Sequence, residues 1–158
     1  GAFYVPSFAA RLDRQSALTV KVAEHGARVN VGEVLIAPGD RHLALRKDAF
    51  GYSCEISDGP PVSGHRASVD VLFNSVAEVA GAGAVGVILS GMGRDGASGM
   101  AAMRAAGAWT IGENEQSCVV YGMPRMAKLA GGVAVEMPLN QIPAEMLRAA
   151  AAPGDRPK

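Results

Sequence analysis

Alternating strand and helix patterns from Ser68 onward predict an α/β fold, a doubly wound, mostly parallel sheet with helices on both faces and a small antiparallel hairpin. Three observations carry this. Short continuous apolar runs at 84–89, 108–111 and 133–135 have the character of strands buried on both faces. Segments with helical apolar spacing or a helix-opening proline lie between and around them. Ahead of them, strand-like pieces follow one another so closely that hairpin links are needed, since a parallel pair requires a longer crossover.

In chain order, Ser7 is placed to cap a short helix with Phe8 and Leu12 four apart on one face. Strand-like pieces follow at 18–22, 33–37, 43–46 and 52–56, separated by Gly, Pro, Asp and Asn. Val69, Leu72, Phe73, Val76 and Val79 repeat at helical spacing, with Ser68 as cap and Asp70 in the first turn. After the run 84–89 comes a glycine-rich loop, 90–96, and a small-residue helix, 97–106. Pro124 suits the first position of another helix, which Gly131 and Gly132 end. Pro143 opens a last helix whose inner side is expected to hold Ile142, Met146, Leu147 and Ala150. No repeat or linker divides the chain, so residues 1–152 read as one domain. The charged tail at 153–158 is expected to be disordered.

Composition narrows the function. Apolar residues make up 49% of the 158, but aromatics only 5%, so the core must be built from aliphatic side chains and methionine. Twenty glycines predict close helix-on-sheet packing. Lys+Arg and Asp+Glu both number 15, and this zero net charge argues against nucleic-acid binding. Cys54 and Cys118 are too few and too far apart for a disulfide framework or a zinc site, so they read as idle thiols in a reducing cytosol. No apolar run reaches membrane-spanning length, so membrane insertion is not expected and a cytoplasmic location is. No metal or cofactor is implied.

In an open α/β sheet, chemistry sits beyond the carboxyl ends of the strands, where the loop 90–96 lies. Gly91, Gly93 and Gly96 spell a dinucleotide-binding fingerprint there, with Glu113 near the place of a ribose-binding acid. Against that nucleotide-binding reading, Asp95 would set a carboxylate where the pyrophosphate must sit. Two further readings of Asp95 stay open: a cap for the following helix, and an ionised catalytic carboxylate such as the third member of a Ser-His-Asp triad. The sequence does not complete such a triad. His25 belongs to a surface turn, and His42 and His65 stand at segment starts where either could line a site or hold structure. No Gly-x-Ser-x-Gly elbow exists, and Ser90 shares a turn with Asp95, leaving little room for an imidazole.

The stretch Leu89-Ser-Gly-Met-Gly-Arg-Asp-Gly-Ala-Ser-Gly-Met100 resembles the signature loop of the chemotaxis protein-glutamate methylesterases (CheB-type). So does the run from Ala106 through Trp109, Glu115, Ser117 and Tyr121-Gly-Met-Pro124 to Ala127. Ile36-Ala-Pro-Gly-Asp-Arg-His-Leu43 and His65-Arg-Ala-Ser-Val-Asp-Val-Leu-Phe73 are similar to two further blocks of that family, and the match runs in order from about Ser7 to Ala150. The resemblance implies a Ser-His-Asp triad that hydrolyses methyl esters on glutamates of chemoreceptor cytoplasmic helices, with related deamidation of glutamines. It makes Asp95 the triad aspartate. It assigns the serine to a Gly-Ala-Ser-Thr-Gly-Gly-like motif and the histidine to a His-Met-Pro-like segment, neither of which the chain contains, so the chain alone is expected to be inactive. It also implies a regulatory receiver domain in the same polypeptide. Ser90 and Ala67 stand where the family usually has Thr and Pro. Met92 is a candidate oxyanion donor through its backbone N–H, or a side chain covering the sheet end. Gly93 and His65 are further site-lining candidates. The remaining alternative is a non-catalytic, receptor-docking domain.

Overall fold

The computed structural model describes residues 3–153, which divide into two compact units at Leu72 and Phe73. Of the tail 153–158 expected to be disordered, residues 154–158 lie outside the described residues.

The first unit opens with α1 (Tyr4–Gln15), which begins four residues earlier than a cap at Ser7 would place it. Ser7 lies inside the helix and its hydroxyl donates to the carbonyl of Tyr4 at 2.8 Å, the local bond that competes with capping. Phe8 stacks on Tyr4 while Ala9 is the residue that α1 buries. Strands β1 (Thr19–Val22) and β2 (Glu33–Ile36) pair in parallel, Val20 opposite Val34. This corrects the expectation of hairpin links throughout. The connection closes a parallel pair without a helix because its backbone runs along β4 (Gly51–Ser57): Gly26 N–H donates to Cys54 O, Cys54 N–H to Ala27 O and Val29 N–H to Tyr52 O. These main-chain groups of the link are thereby satisfied on β4 and not on β1 and β2. The antiparallel hairpin is present as β3 (His42–Asp48) with β4, closed by Asp48 opposite Gly51. Ala23, Leu43 and Cys54 form the core of this unit, packed with Leu35, Ala37, Ile56 and Leu72.

Helix α2 (Val69–Val79) starts in the first unit and leads into the second. There β5 (Val85–Ile88), β6 (Trp109–Glu113) and β7 (Val135–Met137) form a parallel sheet in that order, with Ile88 opposite Gly112 and Gly112 opposite Glu136. Alternation along β5 sends Ile88 to one face and Val85 and Val87 to the other. On the first face Ile88 packs with Ala97 and Met100 of α3 (Ala97–Ala105) and Ala127 of α4 (Met123–Leu129). On the second, Val85, Val87, Trp109 and Ile111 pack with Ile142 and Ala149 of α5 (Ile142–Ala151). Parallel strands with helices on both faces, plus a small antiparallel pair, are the α/β architecture that the apolar runs predicted.

Small residues make this packing possible. A Cβ on Gly132 would stand 2.6 Å from the backbone nitrogen of Ala101, so only glycine lets the end of α4 approach α3 so closely. The end itself is the reciprocal pair expected of a glycine stop, with Gly132 N–H on Ala127 O and Gly131 N–H on Lys128 O. The inner side of α5 differs from expectation. Ile142 and Ala149 are buried, whereas Met146, Leu147 and Ala150 are exposed. Glu145 sets the rotation, because its carboxylate accepts the indole N–H of Trp109 at 2.7 Å and so turns the 142, 145, 149 face to the sheet.

Candidate active site

The loop 90–96 leaves the carboxyl end of β5 and is tied down on two sides. Ser90 N–H donates to Glu113 Oε2 at 2.7 Å, at the end of β6. Gly91 N–H donates to Val120 O at 3.1 Å, Met123 N–H donates to Gly91 O at 2.8 Å, and Val120 N–H donates to Ser90 Oγ at 3.0 Å. Gly122 is required here, since a Cβ would lie 2.6 Å from Gly91 O. Beyond these anchors Met92, Gly93 and Arg94 are exposed, and among the described residues no acceptor takes the N–H of Met92 or Gly93. The chain then turns inward at Asp95, which is 5% exposed, and enters α3 through Gly96, the N-cap, with φ 93°. Asp95 thus stands buried immediately before the N-cap of a nine-residue helix.

Asp95, Met92 and Gly93 are therefore brought together by one loop. The Met92 side chain is 83% exposed, so it does not cover the sheet end. His65 lies in the first unit, exposed, in a turn closed by reciprocal backbone bonds with Val62 at 2.9 Å. His42 is structural. It is 2% exposed, its Nε2–H donates to Pro60 O at 2.9 Å, and its Nδ1 accepts Ser68 N–H at 3.2 Å. Both partners have fixed polarity, so the ring is held as the Nε2–H tautomer with no nitrogen left for catalysis. His25 is exposed, its Nδ1 accepting Ile56 N–H at 3.2 Å.

Glu113, the sequence's candidate ribose acid, is buried and turned inward on Ser90 and Ser117. With that carboxylate engaged and Asp95 at the helix end, the loop lacks the chemistry of a dinucleotide site. Sequence reasoning missed this internal role, and it also missed Glu136, which accepts from the Tyr121 hydroxyl and the Lys128 ammonium. The hydrogen bond to Glu136, then burial, pushes Tyr121 up to about 12. Burial pushes Glu136 up, but the bonds from Lys128 and Tyr121 outweigh it and hold the carboxyl below its ordinary range. Cys54 and Cys118 are free thiols, both raised chiefly by burial, which disfavours the reactive thiolate. Among the described residues no cluster of His, Cys, Asp or Glu is arranged to hold a metal, and no helix is long and apolar enough to cross a membrane.

Residues 2–146 match the family model described as CheB methylesterase. The chain belongs to the CheB methylesterase family. Among curated CheB relatives, the protein-glutamate methylesterase/protein-glutamine glutaminases of Escherichia coli O157:H7 and Salmonella typhimurium are each 56% identical over 144 residues. These alignments take in 91% of this chain but 41% of either relative, so the chain spans well under half of their length. The crystal structure of the Thermotoga maritima CheB methylesterase catalytic domain superposes with a TM-score of 0.90 at 34% identity, covering 94% of this chain and 78% of that one.

Proposed function

We propose that this chain contributes Asp95 to a Ser-His-Asp triad that hydrolyses methyl esters on glutamate side chains of cytoplasmic chemoreceptor helices, with glutamine deamidation as a companion reaction. The observation that carries the reading is the placement of Asp95, a buried carboxylate at a helix N-terminus in a twice-anchored loop beyond the carboxyl end of β5. The relatives' names supply the substrate class. The serine and histidine belong to family motifs that these 158 residues do not contain, so the active unit is the full-length gene product, cytoplasmic and under control of a receiver domain.

In that unit Asp95 holds the imidazole in the tautomer that accepts the serine proton and stabilises the imidazolium as the serine oxygen attacks the ester carbonyl. Methanol leaves with the returned proton, and water then releases the glutamate carboxylate. The unclaimed N–H groups of Met92 and Gly93 are the proposed donors to the tetrahedral oxyanion.

Asp95→Asn in the full-length gene product tests the assignment. It keeps the volume and an acceptor oxygen but removes the charge. Methanol release from methylated receptor should fall roughly a hundred- to ten-thousandfold, with receptor binding and melting temperature nearly unchanged. Near-normal turnover in Asp95→Asn, together with unfolding of Asp95→Ala, would show that Asp95 only finishes the helix.

A further inference from the structure

We infer that Glu113 is a positioning residue for this active site, its single buried carboxylate fixing the loop that carries Asp95. The inference rests on the reading of Asp95 proposed above. Glu113 ends β6, directly beside β5, and is 2% exposed. One oxygen accepts Ser90 N–H at 2.7 Å, where the loop after β5 begins. The other accepts the Ser117 hydroxyl at 2.9 Å, in the loop after β6. Ser117 Oγ in turn accepts Leu139 N–H at 3.0 Å, just after β7. That last bond fixes the polarity, since a lone pair of Oγ is engaged by Leu139 and its proton is directed to Glu113. One acceptor-only group therefore ties together the three loops that follow the three parallel strands.

A carboxylate suits the task because both neighbours present hydrogens, and charge-assisted bonds are the stronger kind. Ser90 is five residues from Asp95 along a loop whose middle is exposed, so the anchor at Ser90 and that at Gly91 set where the chain re-enters the fold. Catalysis tolerates little displacement of a group that must align an imidazole, so loss of the anchor should be felt in the transition state.

The experiment uses the full-length gene product with Glu113→Ala and Glu113→Gln, measuring kcat and KM on methylated receptor and amide hydrogen exchange of the peptide spanning 89–96. Glu113→Ala should lower kcat roughly 10- to 100-fold with KM within about twofold, and speed exchange at 89–96 about tenfold or more. Glu113→Gln, whose amide oxygen can still take Ser90 N–H, should recover kcat to within about fivefold of the parent and restore slow exchange. A folded Glu113→Ala with parental kcat overturns the inference, as does a fall in kcat with unchanged exchange at 89–96, or a glutamine variant no better than alanine. If the parent releases no methanol, or Asp95→Asn keeps its activity, the proposed function fails separately. Exchange then decides alone, and unchanged exchange in Glu113→Ala overturns the positioning role. Should Glu113→Ala not fold, Glu113→Met fills the space without a strong acceptor for Ser90 N–H and is read the same way: faster exchange at 89–96 supports the inference and unchanged exchange overturns it.

Discussion

At the carboxylate of Glu136 two donors meet, the hydroxyl of Tyr121 and the ammonium of Lys128, and this small network sits beside the anchored loop because the backbone of Tyr121 bridges to Gly91. The tyrosine proton is held by its bond to Glu136, and its pKa rises from 10.0 to about 12. A folded-state pKa above the unfolded one means that the folded chain keeps a proton the unfolded chain has lost. The contribution of Tyr121 is therefore complete below about pH 10 and disappears as pH climbs through about 12. Melting curves of the parent and Tyr121→Phe should differ at neutral pH and converge across that alkaline window. A gap that stays constant or widens would contradict the assignment. The sequence shows Tyr121 and Glu136 fifteen positions apart with no local pattern joining them, so such a pair is legible only after β7 is aligned on β6. Glu113 left a fainter trace: a charged residue finishing an otherwise buried strand calls for a partner, though not for which one.

Elements with a strong periodic or compositional signature were the readable part. The three parallel strands, the helices between them and the β3–β4 hairpin all follow from apolar runs and turn residues, with boundaries shifted by a few positions, although only β6 is buried along its whole length. What the pattern could not carry was pairing that depends on remote chain. The parallel β1–β2 pair exists because the link between them is satisfied on β4, and the rotation of α5 is set by the Trp109–Glu145 bond instead of by its most apolar stripe. The site loop belongs to both classes, since its glycine pattern was visible but its close approach to 120–123 was not. Two substitutions separate these features. An alanine at Gly122 would drive a Cβ to 2.6 Å from the backbone oxygen of Gly91 and 3.3 Å from Gly93 N, which only a backbone shift can relieve. At Gly91 the obstacle is the Met123 sulfur at 2.4 Å, in a flexible side chain that can swing away. Gly122→Ala should cost about 1–3 kcal/mol in denaturant unfolding and depress methanol release by the full-length gene product, while Gly91→Ala should cost less than about 1 kcal/mol. The reverse order would show that the loop is not seated on 120–123.

Over the whole molecule, the aliphatic core and the parallel sheet β5-β6-β7 with its glycine-rich loop at the carboxyl edge are those of an α/β domain, and family membership agrees. The proposed site was legible only in its loop. Glycines and a helix start drew attention to Asp95 but left it open as a cap or a catalytic carboxylate, and no pattern within the 158 residues completed a triad around it. That gap leads to a prediction for the chain by itself. Purified residues 1–158 should release no methanol from methylated receptor above the rate in buffer. A carboxylate orients nothing without an imidazole, and Ser90, which opens the same loop, is already engaged. Ser90 Oγ accepts Val120 N–H at 3.0 Å and points its hydroxyl at Val120 O, 3.4 Å away, so its proton faces a backbone carbonyl and not a base. Ser117 Oγ gives its proton to Glu113 and accepts from Leu139. The assay is methanol release by the isolated chain, run beside Ser90→Ala and Ser117→Ala. Turnover that survives both substitutions would point to a nucleophile elsewhere among the 158 residues. Turnover abolished by Ser90→Ala alone would make Ser90 the nucleophile and overturn the division of the triad.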